Sequence, residues 1–292
     1  MPSAPAPIPG ANTLVVIPDT QVYLKEYPEI FHAQMRWISD STKKYGIKYV
    51  LHVGDVVTDN SEKEWGLARA ALDQISGKVP VAIAFGNHDL GSGGQAQSRT
   101  SLFVPSVNQN LKSALNSYHL FATPKRSWLV IALELCPRDE VLAWARRIIE
   151  GHSDRSVIVL THAYLNEAAQ PYRGSANPNG FYKICQAHDS NDGQALWLKL
   201  ISRYRNIAMT VSGHFLPPAQ TLASRGDEGN IVHQLLVNFQ DRKRGGDGFL
   251  RLLQFLPNGQ TIQVNDYSPV LDQTKIHPSS SFSFDLFAPP KT

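Results

Sequence analysis

The stretch that most constrains the fold of this chain is Gly86-Asn87-His88-Asp89, which follows an apolar run over residues 79–85. The run has the composition of a buried strand, and a glycine at its end lets the backbone turn sharply. Polar side chains just past a strand end lie where α/β sheets usually hold their ligands. An Asn oxygen is a neutral metal ligand, and a His with an acidic partner suits proton donation. The four residues by themselves fit an ordinary Gly-Asn turn equally well, so the rest of the chain has to decide.

Apolar runs and helical patterns alternate through the first part of the chain. Residues 13–17, 49–53 and 79–85 are β-rich runs, and residues 29–45 and 62–75 have apolar side chains at helical spacing. A strand–helix–strand–helix–strand order, with an acid, Asn or His at each strand end, is the signature of an α/β fold.

The same alternation continues beyond a long polar segment. Further strands are predicted at 128–133, 157–160 and 207–211, and further helices at 139–150 and 194–204. Three more β-like runs, 231–239, 249–256 and 260–267, are separated by turn residues and predict an antiparallel meander. The polar segments 91–125 and 166–193 have no clear period, which is typical of lids and binding loops.

No internal repeat or linker divides the chain into separate domains. We expect a flexible N-terminal segment over 1–12, one domain over 13–277, and a Ser/Pro-rich surface tail over 278–292. No apolar run approaches the roughly 20 residues of a membrane span. The first ten residues have neither the basic region nor the apolar core of a signal peptide. We therefore expect a soluble protein with no membrane partner. Its compartment stays open, because the chain is also compatible with the mature part of an exported protein.

The charge balance argues against a nucleic-acid partner. The net charge is +3, and the densest basic run, 241–244, contains an acid and precedes two glycines, as in a solvated turn. Nuclease activity stays open on these grounds, and the oligomeric state is unknown.

The two cysteines, Cys136 and Cys185, lie far apart in the sequence. In a chain of this size they predict buried thiols and not a disulfide framework. A single bridge between them stays open.

Five predicted strand ends carry metal-ligand residue types in a fixed order. In chain order they are Asp19 with Gln21, Asp55, the Gly-Asn-His-Asp block, His162 and His214. This series resembles the calcineurin-like metallophosphoesterase superfamily, whose pattern is Asp-x-His, Gly-Asp-x-x-Asp, Gly-Asn-His-Asp/Glu, a lone His and Gly-His-x-His. The resemblance covers about two thirds of the chain. It implies a four-layer α/β/β/α sandwich with two mixed sheets.

The resemblance also implies an activity, the metal-dependent hydrolysis of a phosphate mono- or diester, by a phosphatase or a phosphodiesterase. The substrate would be a small-molecule phosphate ester. Two divalent ions, drawn from Mn, Fe, Zn or Mg, would acidify a bridging water and polarise the phosphoryl oxygens, so that a hydroxide attacks phosphorus in line.

Roles for individual residues follow from the same resemblance. Asp55 would bridge the two ions. The other ligands of the second ion would be Asn87, His162 and His214. His88 would stabilise the transition state or protonate the leaving oxygen, with Asp89 as its partner.

The first metal position departs from the family pattern. Gln21 stands where the family has its first His, and Leu216 replaces the last His. The final acid of Gly-Asp-x-x-Asp falls at Thr58, with Asp59 one residue further on.

Asp19, the shared Asp55 and the amide oxygen of Gln21 are left as candidate ligands of the first ion. An oxygen-rich site favours Mn, Mg or Ca over Zn and should bind its ion more weakly than the second site. His233 or Asp227 is an open replacement for the missing ligands. A one-metal enzyme, a pseudoenzyme, and a non-catalytic metal- or phosphate-binding module on the same fold stay open as alternatives.

Four further residues are candidates for substrate contact. Tyr23 and Tyr164 flank the ligand motifs and either line a cleft or pack in the core. Arg99 and Arg173 lie on the two long polar segments, where a guanidinium is placed to clamp a phosphate.

Overall fold

Two β-sheets packed face to face form the centre of the protein, in a computed structural model that describes residues 3–102, 115–174, 182–216 and 219–287. The strands, in chain order, are β1 Asn12–Ile17, β2 Ile47–His52, β3 Val81–Ile83, β4 Ser117–Thr123, β5 Arg126–Ala132, β6 Ser156–Leu160, β7 Ile207–Ser212, β8 Ala219–Arg225, β9 Ile231–Val237, β10 Leu250–Phe255, β11 Thr261–Ser268, β12 Gln273–Thr274 and β13 Ser281–Asp285. The α-helices are α1 Gln21–Glu26, α2 Pro28–Tyr45, α3 Glu62–Leu72, α4 Asp139–Gly151 and α5 Gly193–Lys199.

Both sheets mix parallel and antiparallel pairs. The first has the order β12-β11-β10-β1-β2-β3, with β13 added to β11; β1, β2 and β3 are parallel, and β10 runs antiparallel to β1. The second has the order β4-β5-β6-β7-β9-β8, in which β5, β6, β7 and β9 are parallel. Helices α1 to α3 pack on the first sheet, and α4 and α5 pack on the second. The predicted four-layer α/β/β/α sandwich with two mixed sheets is confirmed.

The central strands are buried on both faces, which explains why they read as continuous apolar runs. In β1, Leu14 and Val16 face the second sheet, whereas Val15 and Ile17 face the helices. Each such side chain contributes about 1.5–3 kcal/mol on burial. A strand of this kind is held in one register, because a shift by one residue would exchange its two faces.

The predicted helices are confirmed to within a residue or two at most ends. Helix α2 ends at Gly46, whose backbone is left-handed with a φ of 58° and whose N–H bonds to the carbonyls of Thr42 and Lys43. Such a residue stops a helix at low cost when it is a glycine. Helix α3 is capped by Ser61, whose Oγ accepts from the Glu64 N–H. The expected helix over 194–204 ends as an α-helix at Lys199 and continues as a 3₁₀ turn over Ile201–Arg203.

The predicted C-terminal meander is wrong. Of the three runs predicted to form it, β9 joins the second sheet, parallel to β7. The other two, β10 and β11, pair as an antiparallel hairpin in the first sheet. The apolar pattern of β9 shows that it is buried on both faces but does not specify which sheet it joins.

Strand β13 pairs with β11, so residues 281–285 of the expected surface tail belong to the first sheet. Strand β4 likewise forms inside the polar segment 91–125, where its residues alternate in exposure on a sheet edge. Residues 103–114 and 175–181 of the two predicted loops, and 288–292 of the tail, lie outside the described residues.

The described part of the N-terminal segment is held against the domain. Thr274 donates to the Ser3 carbonyl at 2.8 Å, and Tyr45 donates to the Pro5 carbonyl at 2.9 Å. These bonds join the segment to α2 and β12, and its expected flexibility stays a prediction. None of the described helices combines the length and apolar character needed to cross a membrane.

Cys136 and Cys185 form a disulfide, with 5.3 Å between their Cα atoms. The prediction of two buried thiols is therefore wrong, and the single bridge that the sequence left open is the one observed. The loop after β5 and the loop before α5 meet in space, which their sequence spacing does not reveal.

Candidate metal centre

The strand ends of both sheets meet at one edge of the sandwich and bring together the predicted ligands. Asp55, His162 and His214 each offer a ligand atom within 4.8 Å of the others. Asp55 follows β2, His162 follows β6 and His214 follows β7, so parallel strands of two different sheets supply one cluster. Asp55 and His162 are buried and His214 is half-buried.

His162 lies at the centre of the cluster. Its Nε2 is 3.3 Å from Asp55 Oδ2, 3.2 Å from Asn87 Oδ1 and 3.1 Å from His214 Nδ1. Its Nδ1 lies 2.9 Å from the Val53 carbonyl, to which it donates. That bond fixes the ring and turns Nε2 toward the other three side chains, as is usual for a metal-binding imidazole. One carboxylate, one amide oxygen and two imidazoles are a donor set that fits a divalent ion.

The amide of Asn87 is oriented by its own backbone contact. Its Nδ2 donates to the Gly94 carbonyl at 2.8 Å, which leaves Oδ1 toward His162. A Cβ on Gly94 would overlap the ring of His88, so this loop passes close over both residues only because position 94 is a glycine. The loop after the Gly-Asn-His-Asp block is thus part of the site.

The backbone of the site is strained where ligands are presented. Asp55 has a φ of 50° and His214 a φ of 68°, in the left-handed region that non-glycine residues seldom adopt. Such conformations cost about 1–3 kcal/mol each and cluster at functional sites. Next to them, a Cβ at Gly86 would overlap Asp55 Oδ1. The glycine of this motif is required by close approach.

Burial and the neighbouring charges together set the pKa values of the cluster. Burial alone would raise the pKa of Asp55, but the adjacent His162 outweighs it and lowers that pKa to about 2. Burial likewise opposes the charged form of His162, yet Asp55 and Asp19 raise its pKa to about 9. Burial and His162 lower the pKa of His214 to about 3. In the absence of a cation, then, His162 carries the proton that balances the carboxylates.

The first metal position contains two residues that sequence reasoning missed, Asn238 and Gln240. Asn238 Nδ2 donates to Asp19 Oδ2 at 3.1 Å. Gln21 Nε2 donates to Asp55 Oδ2 at 3.2 Å and to Gln240 Oε1. Asn238 directly follows strand β9 and Gln240 lies two residues further on, close to the strand-end position that identified the other candidate ligands. Asp19 also accepts from the His214 N–H, and its burial raises its pKa well above the ordinary value.

The replacements considered for the missing ligands lie elsewhere. His233 Nε2 bonds to the Asp285 carbonyl, and its ring stacks on Phe284. Asp227 pairs with Arg203. These contacts do not support either of the two open alternatives, because both side chains are engaged away from the first metal position.

Asp59 and Leu216, the departures from the family motifs, also contribute no ligand to the described cluster. Asp59 pairs with Lys25 at 2.7 Å, and Leu216 is 40% exposed.

His88 and Asp89 point to different partners. His88 Nδ1 lies 2.7 Å from the Thr58 carbonyl, to which it donates, so Nε2 remains for another group. Asp89 accepts from the backbone N–H groups of Val56, Val57 and Gly86. The expected Asp89–His88 partnership is wrong. Asp89 instead ties the Asp55 turn to the neighbouring strand end, and burial raises its pKa to about 7.

Arg99 and Arg173, the two predicted phosphate clamps, differ in their surroundings. The guanidinium of Arg99 is occupied by the protein itself; its acceptors are the carbonyls of Leu135, Cys136 and Ile184 and the hydroxyl of Ser190. It also lies 3.2 Å from the Glu134 carboxylate. The prediction of a phosphate clamp at Arg99 is therefore wrong. Arg173 is exposed, and its role stays a prediction.

Tyr23 and Tyr164 belong to the core. Tyr23 is 1% exposed and donates to Gln34, and Tyr164 is fully buried and donates to Gln234. The expectation that they line a cleft is wrong, because their rings fill the layers under the helices. Among the residues that the structure describes, Tyr182 and Phe215 place their rings 5.8 and 4.6 Å from the His214 ring centroid.

Comparisons with known proteins agree with this geometry. The family model described as calcineurin-like phosphoesterase matches residues 13–218. An uncharacterised protein, YvnB, of Bacillus subtilis strain 168 is 26% identical over 291 residues, which is 94% of this chain and 21% of the relative. The chain thus spans about a fifth of the length of that curated relative.

Solved structures share the fold at low sequence identity. Purple acid phosphatase PPD1 from yellow lupin has a TM-score of 0.58 and 15% identity, over 97% of this chain and 55% of that one. A dimetal phosphatase from Danio rerio has a TM-score of 0.55 and 13% identity, over 94% and 98% of the two chains. GAP50 of Plasmodium, an anchor in the inner membrane complex, has a TM-score of 0.56 and 9% identity, over 97% and 90%.

Proposed function

The chain belongs to the calcineurin-like phosphoesterase family, and from that premise we propose that it hydrolyses a phosphate mono- or diester at the Asp55–His162–His214 centre. The observation that supports this most directly is the convergence of Asp55 Oδ2, Asn87 Oδ1 and His214 Nδ1 on His162 Nε2, all within 3.3 Å. A purely structural cluster would not need two ligands in strained backbone conformations.

We propose that the site binds two divalent ions, one tightly and one loosely. The tight ion would be held by Asp55, Asn87, His162 and His214. The loose one would be held by Asp19, Gln21 and the shared Asp55. Such ions supply a water acidic enough to attack phosphorus in line at neutral pH and offset the charge on the phosphoryl oxygens. Asp55 Oδ2 lies 3.3 Å from His162 Nε2 and accepts from Gln21 Nε2 at 3.2 Å, so this oxygen faces both positions. Asp55 Oδ1 accepts from the His88 N–H, which orients the carboxylate.

His88 is the proposed proton donor to the leaving oxygen. The Thr58 carbonyl is an acceptor only, so His88 Nδ1 keeps its proton and Nε2 is the nitrogen that can exchange one. The imidazolium form would donate from Nε2. Asp89 does not contact the ring but holds the turn on which the neighbouring ligands stand.

The substrate is proposed to be a small-molecule phosphate ester. Arg173 is exposed on a loop that also carries Tyr172, whose ring packs 4.8 Å from Phe215 beside the centre. This placement supports the proposal that Arg173 binds a phosphate oxygen. We also propose an oxidising compartment, because a disulfide persists mainly in exported proteins.

The experiment that tests the proposed function is turnover of p-nitrophenyl phosphate and bis(p-nitrophenyl) phosphate with added Mn²⁺, before and after chelation. Asp55→Asn is the informative variant, because Asn tolerates the left-handed backbone at this position while removing the charge. We expect loss of bound metal and a fall in rate of at least about 10²-fold. Asp40→Asn, on an exposed position of α2, is the matched control and should change neither quantity.

A non-catalytic metal-binding module is the second candidate function. It is favoured by one observation, the Gln21 amide that donates to Asp55 at the position of the first ion. Tight metal binding with no turnover of either ester, under all ions tried, would support this candidate and contradict the proposed hydrolysis.

A further inference from the structure

Two glutamine side chains meet at the first metal position. Gln21 lies at the start of α1, and Gln240 lies three residues past the end of β9. The Gln21 Nε2 donates to Gln240 Oε1 and to Asp55 Oδ2. The contact joins two segments 219 residues apart, so the fold brings the two amides together.

The amide oxygen of Gln21 is left without a partner. Gln21 is 4% exposed, and its Oε1 is buried with no hydrogen-bond partner among the residues that the structure describes. Leaving a buried acceptor unpaired costs about 1–3 kcal/mol. An ion in this position accounts for an unpaired polar atom on an amide that also contacts the Asp55 carboxylate.

The orientation of the Gln21 amide depends on what occupies the site. The oxygen and nitrogen of a glutamine have nearly the same shape, and their assignment follows from the hydrogen-bond network. Rotating this amide by half a turn places Oε1 where Nε2 now lies, beside Asp55 Oδ2 and Gln240 Oε1. Three oxygen atoms then face one another, an arrangement that is repulsive without a cation and favourable around one.

Asp19 adds a fourth oxygen donor to this position. Its Oδ2 accepts from Asn238 Nδ2 and the His214 N–H, each at 3.1 Å. A carboxylate has about four acceptor positions, so these bonds orient Asp19 and leave it able to bind an ion. Asp19 and Asp55 are 1% and 2% exposed, and two buried carboxylates need positive charge nearby.

We propose that Gln240 completes an all-oxygen cation site with Asp19, Gln21 and Asp55, in place of the two imidazoles that the family motifs carry. The Gln21 amide is the switch in this site. It donates to Asp55 when the ion is absent and presents Oε1 to the ion when it is bound. The inference rests on the proposed metal-dependent function for the neighbouring ion, but the two can fail separately.

The two ion positions should then differ in selectivity. The position around His162 has two imidazoles, which suit Zn²⁺, whereas carboxylate and amide oxygens suit Mn²⁺, Mg²⁺ and Ca²⁺. The ratio of Zn²⁺ affinity to Mn²⁺ affinity should therefore be lower at the all-oxygen position than at the imidazole position.

The test is to count bound Mn²⁺ by calorimetry and to record its electron paramagnetic resonance spectrum. Two Mn²⁺ ions that share the Asp55 carboxylate are magnetically coupled, whereas a single ion gives a separate spectrum. The main variant is Gln240→Met, which keeps the length of the side chain but removes its oxygen. Gln220→Met on β8 is the matched control, since Gln220 bonds to the Glu167 carbonyl and not to the centre.

We expect the wild type and Gln220→Met to bind a second Mn²⁺ and to show the coupled spectrum. Gln240→Met should keep the first Mn²⁺ and weaken the second by at least about 10-fold, since even residues outside the ligand set cost 10- to 100-fold. Gln240→Glu should bind the second ion at least as tightly as the wild type, because it adds a charge and keeps the oxygen. If Gln240→Met does not fold, the affinity of Gln240→Glu for the second Mn²⁺ tests the proposed role of Gln240.

Three results would overturn the inference. One is an unchanged second Mn²⁺ in Gln240→Met, and another is loss of that ion in Gln240→Glu. The third is a wild type that turns over ester with one Mn²⁺ at every concentration, which would leave the proposed hydrolysis intact but remove the second ion, with the Gln21 amide as its permanent substitute. A wild type that binds no Mn²⁺ and hydrolyses nothing would refute the proposed function as well.

Discussion

Removal of the Cys136–Cys185 disulfide should weaken the fold by an amount that can be worked from its position in the chain. The bridge closes a loop with a sequence separation of 49 residues. In the chain-entropy model, closing a loop of that length in the unfolded chain corresponds to about 4 kcal/mol, and measured values are usually about 2–4 kcal/mol. We therefore expect the Cys136→Ser/Cys185→Ser variant to lose about 2–4 kcal/mol in its free energy of unfolding.

The folded state should survive this change, because Arg99 ties the same two loops together. Its guanidinium donates to the carbonyls of Cys136 and Ile184 at 2.8 and 3.2 Å, one on each side of the bridge. The disulfide and Arg99 thus restrain the same segment in parallel. Removing either should make the other more important, so their effects on stability should not simply add.

The bridge also bears on the metal centre. Cys185 ends the 3₁₀ turn Lys183–Cys185, and Tyr182 directly before it has its ring 5.8 Å from that of His214. A looser turn would position this ring less well. We expect the double Ser variant to bind substrate more weakly, with a raised KM and a smaller change in kcat.

The assay is urea unfolding of the wild type, the double Ser variant and Arg99→Met in both backgrounds, with and without reductant. Reductant should destabilise the wild type and leave the double Ser variant unchanged, which serves as its control. A loss below about 1 kcal/mol on removing the bridge would refute the loop-entropy reasoning. Equal effects of Arg99→Met in the two backgrounds would refute the shared restraint.

Three further outcomes are expected. His88→Ala should keep its metal but lose about 10²–10⁴-fold in rate, most for esters with poor leaving groups; an equal loss for all leaving groups would contradict a proton donor. Gly94→Ala should lower the rate by about 10²-fold with bound metal retained, because a Cβ there overlaps the His88 ring and displaces it; activity like that of the wild type would show that the loop adjusts. His119 is half-buried, and burial lowers its pKa to about 4, so the unfolded chain binds a proton that the folded one does not between pH 4 and 6.5. Stability should thus fall as the pH drops through that window, and His119→Gln, measured by thermal unfolding across it, should reduce the slope; identical slopes would rule out His119 as the source.

The fold class and most of the candidate metal ligands could be predicted from the sequence, because both depend on local patterns. Apolar runs of strand length, helical spacing between them, and a polar motif directly after each run specify parallel strands with ligands at one edge. Asp55, Asn87, His162 and His214 are brought together as the pattern predicted. The Gly46 helix end is equally local and was predictable for the same reason.

The partners of those residues depend on packing in three dimensions. Asp89 bonds to backbone N–H groups instead of His88, and Arg99 to loop carbonyls instead of a phosphate, because each side chain takes the acceptors or donors that packing places nearest. The cysteines pair because two loops separated by 49 residues meet.

The clearest case is Gln240 at the first metal position. It follows the predicted strand 231–239, as the candidate ligands follow theirs, yet the sequence does not show that β9 leaves the expected meander and lies beside β7. That choice of sheet places Gln240 against Gln21, from 219 residues away. Strand pairing is a long-range property, fixed by which buried faces fit one another, and no local pattern of residues records it.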